Sequence, residues 1–370
     1  MTLAQVVRLL ALARSVAAEH EVHFACARFD PAIFAAQEPF QRWPLLSIAA
    51  SKADFAVRFG LPIYSYKTLR AYLADDLRLI DQVRPDLIVG DLRWSLAVSG
   101  PLSKVPVASL ANAYWSPHAI RDFPLPEHPL VKLLGVKLAG EHFRKALPLA
   151  FRLFARPLNR LRQRHGLPPL GSLPEVLTWG DHTLFADPPA LFPLRQLPAH
   201  HHFLGPIHWS TGAGPQVKSS RLAYVTLGSS GNLRALPAVL EALHGFDVLL
   251  ATAGRKMPRL PANVRAEAYV RGDLACRQAA LVVCNGGAST AYQALCAGAP
   301  LVGLPMNLDQ YLAMEAIERA NAGVLVRSGT ATPRLVQAAI ERALAQPGAR
   351  SQANELTATL QFRRFIDNHA

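Results

Sequence analysis

An α/β fold of two parallel-sheet domains, with a cleft between them, is what this sequence predicts, and three observations predict it. Short apolar runs of strand length alternate with amphipathic helical patterns along most of the chain. Twice in the second half such a run passes through a glycine turn into a helix, at Leu222–Asn232 and at Ala280–Ala297. A short polar, glycine-containing segment, Ser210–Ser220, separates the halves, and 370 residues are enough for two cores. The halves share this order of elements without an internal sequence repeat.

The stretch Cys284–Gln310, CNGGASTAYQALCAGAPLVGLPMNLDQ, orders the second domain. Ala280–Cys284 reads as a buried parallel strand. Asn285-Gly286-Gly287 is a turn in which two glycines allow close approach of the backbone. Ser289 or Thr290 is expected to cap a helix running to Ala297, which Gly298 stops. Leu301–Leu304 is the next strand, and Pro305–Gln310 a polar loop at its C-terminal end. A strand, a glycine turn and a helix N-terminus make an anion site. Asn307, Asp309 and Gln310 emerge on the same edge with groups suited to hydroxyls. Phosphate on one side and polyol on the other suggest a nucleotide-sugar.

This stretch resembles the donor-binding signature of glycosyltransferases with two Rossmann-like domains (the GT-B fold), and most nearly the bacterial UDP-glycosyltransferases that modify small molecules or lipids. The matching positions are Asn285, Gly286, Gly287, Thr290, Gln293, Gly298, Pro300, Pro305, Asp309 and Gln310. Asn285 stands where His is usual, and Gln293 where Glu is usual. Asn can still donate a hydrogen bond to phosphate but carries no charge. The resemblance implies transfer of a sugar from a nucleotide-diphosphate sugar, expected to be a UDP-sugar, to a hydroxyl of a hydrophobic small-molecule or lipid acceptor. It implies no cofactor and no metal.

Composition agrees with a globular enzyme. Hydrophobic residues are 51% of the chain and charged residues 18%, which reads as a globular rather than a disordered chain. No apolar run is long enough to span a membrane, and no signal peptide is visible. Cys26, Cys276, Cys284 and Cys296 lack metal-ligand spacing and read as free thiols, which points to the cytoplasm. The net charge of +13 suits an anionic donor or the acidic inner face of a membrane. Nucleic acid is not an expected partner, because no reading motif accompanies the basic residues.

At the N-terminus, Thr2–Glu19 reads as a helix and His20–Ala27 as the strand after it. A parallel α/β domain places a strand before that helix, and the sequence as given does not contain one. The expectation is a start displaced downstream of the true one, with a family member lacking the usual base as the alternative. In the family a His at the helix start is the base for the acceptor hydroxyl; here the matching position is Gln5, which cannot accept a proton. Pro44–Ala49 is a further apolar run, Ala71–Val83 an amphipathic helix, and Leu87–Val89 a strand ending near Asp91. The resemblance makes Asp91 the residue that orients the base; a turn Asp capping the next helix is the other reading. After the strand Val105–Leu110, Asn112, Tyr114, Trp115 and His118 are expected on a loop facing the cleft, either lining an apolar acceptor pocket or packing the core.

Residues 131–165 hold nine Lys and Arg against Glu141, with Leu147, Phe151, Phe154 and Leu158 at helical spacing. Such a helix either contacts an anionic membrane or turns a solvated basic face outward over a core stripe. Residues 168–193 are proline-rich and read as irregular. His200, His201 and His202 are adjacent rather than spaced along one face, so a metal site is not expected there.

The expected domains are 1–209, which binds the acceptor, a linker 210–220, and 221–350, which binds the donor. Residues 351–370 form a terminal helix that crosses back to the first domain. In the second domain Gly228, Ser229 and Ser230 are candidates for the diphosphate. Tyr269 and Val270 are candidates for the nucleobase, because the resemblance puts their segment beside it. The second domain then closes with a strand at Ala322–Val326 and a helix from Thr332 to Leu344. The alternatives to a transferase are a non-catalytic nucleotide-sugar-binding protein and a nucleotide-sugar epimerase of the same fold.

Overall fold

The computed structural model describes residues 3–31, 33–128, 130–209, 219–228, 230–257, 259–346 and 357–369. Ser229 and residues 210–218 of the expected linker lie outside them. The chain divides into two compact units. Unit 1 is Met1–Arg121, Phe143–Ile207 and Leu356–Ala370; unit 2 is Asp122–His142 and His208–Glu355. Residues 122–142 therefore belong with the second half of the chain, which a single cut at residue 209 does not anticipate.

The first half of the chain forms α1 (Leu3–Val16), β1 (His23–Cys26), β2 (Gln41–Pro44), α2 (Ala50–Phe59), α3 (Tyr66–Val83), β3 (Ile88–Asp91), α4 (Leu96–Ser103) and β4 (Val107–Ala111). Next come α5 (Leu130–Arg164), α6 (Leu173–Leu177), β5 (His182–Phe185) and β6 (His201–Phe203). The strands of unit 1 form two separate parallel sheets, β1-β2 and β3-β4-β5-β6. Helix α1 joins them through its apolar side chains. Leu10 packs with Phe24, Cys26 and Phe34. Leu12 and Val16 pack with Ala108, Leu110 and Leu184 of the second sheet. Strand β5 falls in the stretch that reads as irregular in sequence, and β6 follows just after it. Three- and four-residue strands between prolines are too short to show a period.

Helix α5 is broken at Gly135, whose φ of 72° and ψ of 166° are not helical. Its Leu147, Phe151, Ala155, Leu158 and Leu161 are buried in unit 1, the core stripe of the two readings. Arg162, counted by sequence in the basic face, is instead buried, its guanidinium bonded to the carbonyls of Pro168 and Ala97.

Unit 2 contains β7 (Leu222–Thr226), α7 (Leu236–Ala242), β8 (Asp247–Ala251), β9 (Val264–Glu267), α8 (Gly272–Gln278), β10 (Leu281–Cys284), α9 (Ala288–Ala297), β11 (Leu301–Gly303), α10 (Leu308–Arg319), β12 (Val324–Leu325) and α11 (Pro333–Ala345). Its six strands form one parallel sheet in the order β12-β11-β10-β7-β8-β9. Every residue of β7, β10 and β11 is buried, as central strands covered on both faces require. The last helix, α12 (Thr357–His369), belongs to unit 1. There Phe362, Phe365 and Ile366 join the cluster of Leu12, Val16 and Leu184. Each such side chain contributes about 1.5–3 kcal/mol on burial.

Candidate active site

In unit 2 the chain starts on β7 and builds outward to β8 and β9, then returns to the other side of β7 with β10, β11 and β12. The order reverses between β7 and β10. Beyond the C-terminal ends of strands at such a reversal lies the crevice where open α/β sheets bind ligands. Both glycine turns singled out in the sequence sit there.

The turn after β10 is built on glycine. Gly286 has φ +72°, and a Cβ on it would lie 2.4 Å from Cγ of Met314 on α10. Gly287, not Ser289 or Thr290, is the N-cap of α9, so those two residues occupy its first turn and are half-buried. The side chain of Asn285 is 8% exposed and turns inward: its Oδ1 accepts from the Gly287 N–H at 3.2 Å, and its Nδ2 donates to Ser230 Oγ at 3.4 Å. Cys284 accepts from the Gly286 N–H, and burial pushes its thiol up to about 12, which removes it as a nucleophile.

Ser230 is where three chain segments meet. Besides Asn285, its hydroxyl oxygen accepts from Gln310 Nε2 at 3.0 Å. With both lone pairs engaged, the hydroxyl proton is directed to a third group. The turn after β7 is completed by Gly228, with φ +56°, against which the Asn285 amide lies. Arg255, after β8, donates to the carbonyls of Gly228 and Gly231 at 3.1 and 3.0 Å. Sequence reasoning passed over Arg255. The signal was an Arg four residues beyond the end of β8, the strand that pairs with β7.

The loop before α10 departs from expectation. Asp309 and Gln310 are not in a loop but in the first turn of α10, because Asn307 caps it with a capping box: Asn307 Oδ1 accepts from Gln310 N at 3.0 Å. Gln310 is 3% exposed, and its Oε1 accepts from Met306 N at 2.9 Å. This residue braces the turn. Asn307 and Asp309 are half-buried at the same helix start. Gln293, on α9, is buried and donates to the Trp209 carbonyl at 2.9 Å. Tyr269 is 40% exposed after β9, whereas Val270 is buried at 9%.

The segment 122–128 was not expected beside this loop. Glu127 N–H donates to the Met306 carbonyl at 2.9 Å, and Tyr311 donates its hydroxyl to Glu127 Oε1 at 2.6 Å. Arg327 donates to the carbonyls of Leu125 and Pro126. Burial, then the Glu127 carboxylate, raise the Tyr311 pKa.

In unit 1, Asp91 is the last residue of β3 and is held by Arg8 of α1. Arg8 Nε reaches Oδ2 and Nη2 reaches Oδ1, both at 2.9 Å. Arg8 Nη1 also donates to Asn112 Oδ1 at 3.0 Å, and Asn112 Nδ2 donates to Asp187 Oδ1 at 2.7 Å. Burial works against the charge of Arg8, but Asp91, with Tyr114 and Asp187, outweighs it and raises the pKa. Arg8 lies one turn beyond Gln5, a half-buried residue, and was not singled out from the sequence. Tyr114 is 1% exposed against Phe192, so it offers no surface to a ligand here. Trp115 is half-buried against Phe151, and His118 half-buried with Gln196 Nε2 3.3 Å from its Nδ1.

The fold and the switch-point turns define the class, an α/β protein with two Rossmann-like domains. Comparison with known proteins narrows this. Residues 239–361 match the family "Erythromycin biosynthesis protein CIII-like, C-terminal domain". The chain is 44% identical over 372 residues to a PGL/p-HBAD biosynthesis rhamnosyltransferase of Mycobacterium bovis (strain BCG / Pasteur 1173P2), covering 97% of this chain and 81% of that one. It is 42% identical over 367 residues to a PGL/p-HBAD biosynthesis glycosyltransferase of Mycobacterium tuberculosis (strain ATCC 25177 / H37Ra), covering 96% and 85%. Among solved structures, the spinosyn rhamnosyltransferase SpnG complexed with thymidine diphosphate superposes with a TM-score of 0.61 at 17% identity, over 98% of this chain and 93% of that one. The chain belongs to the GT-B glycosyltransferase family that includes these mycobacterial enzymes, and it is a glycosyltransferase.

Proposed function

We propose that this enzyme transfers a sugar from a nucleoside-diphosphate donor to a hydroxyl of a hydrophobic small-molecule or lipid acceptor, without a metal or other cofactor. The observation that carries it is the set of groups at the β7/β10 reversal: the N-terminus of α9, the Ser230 hydroxyl and the Arg255 guanidinium. Leaving diphosphate gains negative charge as the anomeric C–O bond breaks, and fixed N–H dipoles, a hydroxyl donor and a cation stabilise that charge. Asn307 and Asp309 are assigned to sugar hydroxyls, and Tyr269 to the face of the base. Two relatives named for rhamnosyl transfer support a deoxyhexose donor, and the thymidine diphosphate bound by one of them supports dTDP beside UDP.

The acceptor proton needs a base, and Gln5 supplies none. Asp91 has both oxygens committed to Arg8, which makes it an anchor for α1 on this reading rather than a free base. Exposed Leu149 and Leu153 lie among Arg152, Arg156 and Lys145 on α5, a pattern suited to peripheral contact with an anionic bilayer from the cytoplasmic side. No helix among the described residues is long and apolar enough to cross a membrane.

The test is nucleotide release from UDP- and dTDP-sugars, rhamnose included, against hydroxylated hydrophobic acceptors. Acceptor-dependent release is the expected result. Donor binding by calorimetry with no release from any pair would overturn the transfer reading and leave a binding protein. Gln5→His, which puts an imidazole at the start of α1, is expected to raise turnover.

A further inference from the structure

One cluster of ligating side chains lies in unit 1, outside every group assigned above. His182 opens β5, His202 is the middle residue of β6, and His369 ends α12. In the parallel register Leu184 pairs with His202, so His182 and His202 stand two residues apart along adjacent strands and share a face of the sheet. Helix α12 covers that face. The Phe365 ring lies 5.1 Å from the His182 ring and 5.3 Å from the His202 ring, and His369 follows one turn later. The three histidines are 187 residues apart at the extremes, so spacing along the chain could not reveal them.

We propose that His182, His202 and His369 bind a transition-metal dication of the zinc class, and that the ion fastens α12 to the edge of the unit 1 sheet. Four features carry this. One nitrogen from each residue lies within 4.8 Å of the other two. His182 Nδ1 and His202 Nε2 are 3.4 Å apart, which is about the separation of two nitrogens each roughly 2.0–2.1 Å from a tetrahedral zinc. His369 Nδ1 lies 2.8 Å from the Phe365 carbonyl, which can only accept. That bond fixes the tautomer with the lone pair on Nε2, the arrangement in which metal-bound histidines are held by a backbone carbonyl. The fourth feature is access. His182 and His202 are half-buried and His369 is exposed, so an ion can enter from solvent and keep water in a fourth position.

His202 is thus separated in role from its neighbours. His200 is exposed, and His201 faces Phe185 and His118. A second group, Glu19, His20 and Asp367, is more exposed and has two carboxylates, a weaker set for the same metals.

The experiment uses the full chain without a purification tag, stripped with chelator and titrated with zinc chloride by calorimetry, with cobalt(II) absorption as a second readout. The expected result is one saturable equivalent, cobalt bands of a tetrahedral centre, and slower hydrogen exchange in α12 when zinc is present. His369→Gln, at an exposed helix end where folding is not at stake, is expected to weaken zinc binding at least tenfold and to abolish the effect on α12. His202→Gln should do the same, and His200→Gln should leave binding unchanged. No saturable binding to the wild-type chain would overturn the proposal. So would binding that survives His369→Gln or is lost in His200→Gln, since the latter marks the exposed histidine run as the site.

Discussion

The two units solve the same problem with different materials. Unit 2 has one unbroken six-stranded sheet, and its chemistry-bearing turns follow the C-terminal ends of adjacent strands. Unit 1 has two sheets with α1 packed against both, and its polar centre joins Arg8, Asp91, Asn112 and Asp187 from four separate segments. In unit 2 the glycines shape the turns after β7 and β10, and the buried Gln310 side chain braces them. In unit 1 the arrangement depends on one guanidinium that holds α1 against β3. The difference teaches that a backbone-built site is locally encoded and robust, whereas a side-chain-built centre concentrates its dependence on a few buried charges.

The largest effect expected from this contrast is at Arg8. Arg8→Met leaves Asp91 buried without its ion-pair partner and should cost about 3–5 kcal/mol in denaturant unfolding. Hydrogen exchange should show the loss in α1 and β3 and not in the unit 2 sheet. Adding Asp91→Leu should recover much of it; a double variant as weak as the single one would mean that the pair is not the source. Second is Gly286→Ala, which combines a left-handed φ with a Cβ overlapping Met314. Strain and overpacking together should cost about 2–4 kcal/mol, read in unit 2. A neutral outcome would show that the β10 turn tolerates a side chain and that the backbone is not the constraint.

Tyr311→Phe is expected to come third. It removes a hydrogen bond to the Glu127 carboxylate worth about 1.5–3 kcal/mol, and protease sensitivity within 122–128 should rise with it. Smallest is Ser230→Ala, which strips the acceptor from the buried Gln310 amide and should cost about 1 kcal/mol of stability, while weakening donor binding about tenfold, roughly 1.4 kcal/mol. Calorimetry with UDP or dTDP checks this, and unchanged affinity would place the diphosphate elsewhere.

Legibility followed the same division. The strand, glycine turn and helix of 281–297 were readable because each signal lies within a few residues of the next. The start of α10 reads as a polar loop because Pro305, Asn307 and Asp309 are turn-forming residues, although Asn307 and Gln310 carry the capping-box spacing that starts the helix. Arg255 and Arg8 were missed for another reason: an isolated Arg has no local signature. The packing of 122–128 beside Met306 joins residues about 180 positions apart, and no periodicity records such a contact.

By itself the sequence determined the α/β class, the two-unit organisation in outline, and the glycine turns that follow β7 and β10. It did so because backbone conformation and strand burial are set by neighbouring residues. Tertiary structure alone decided which polar groups meet: that Gln310 braces Ser230, that Asp91 answers to Arg8, and that three distant histidines converge at the end of α12. Side-chain partners across a sheet are chosen by packing and register, which no short stretch of chain contains.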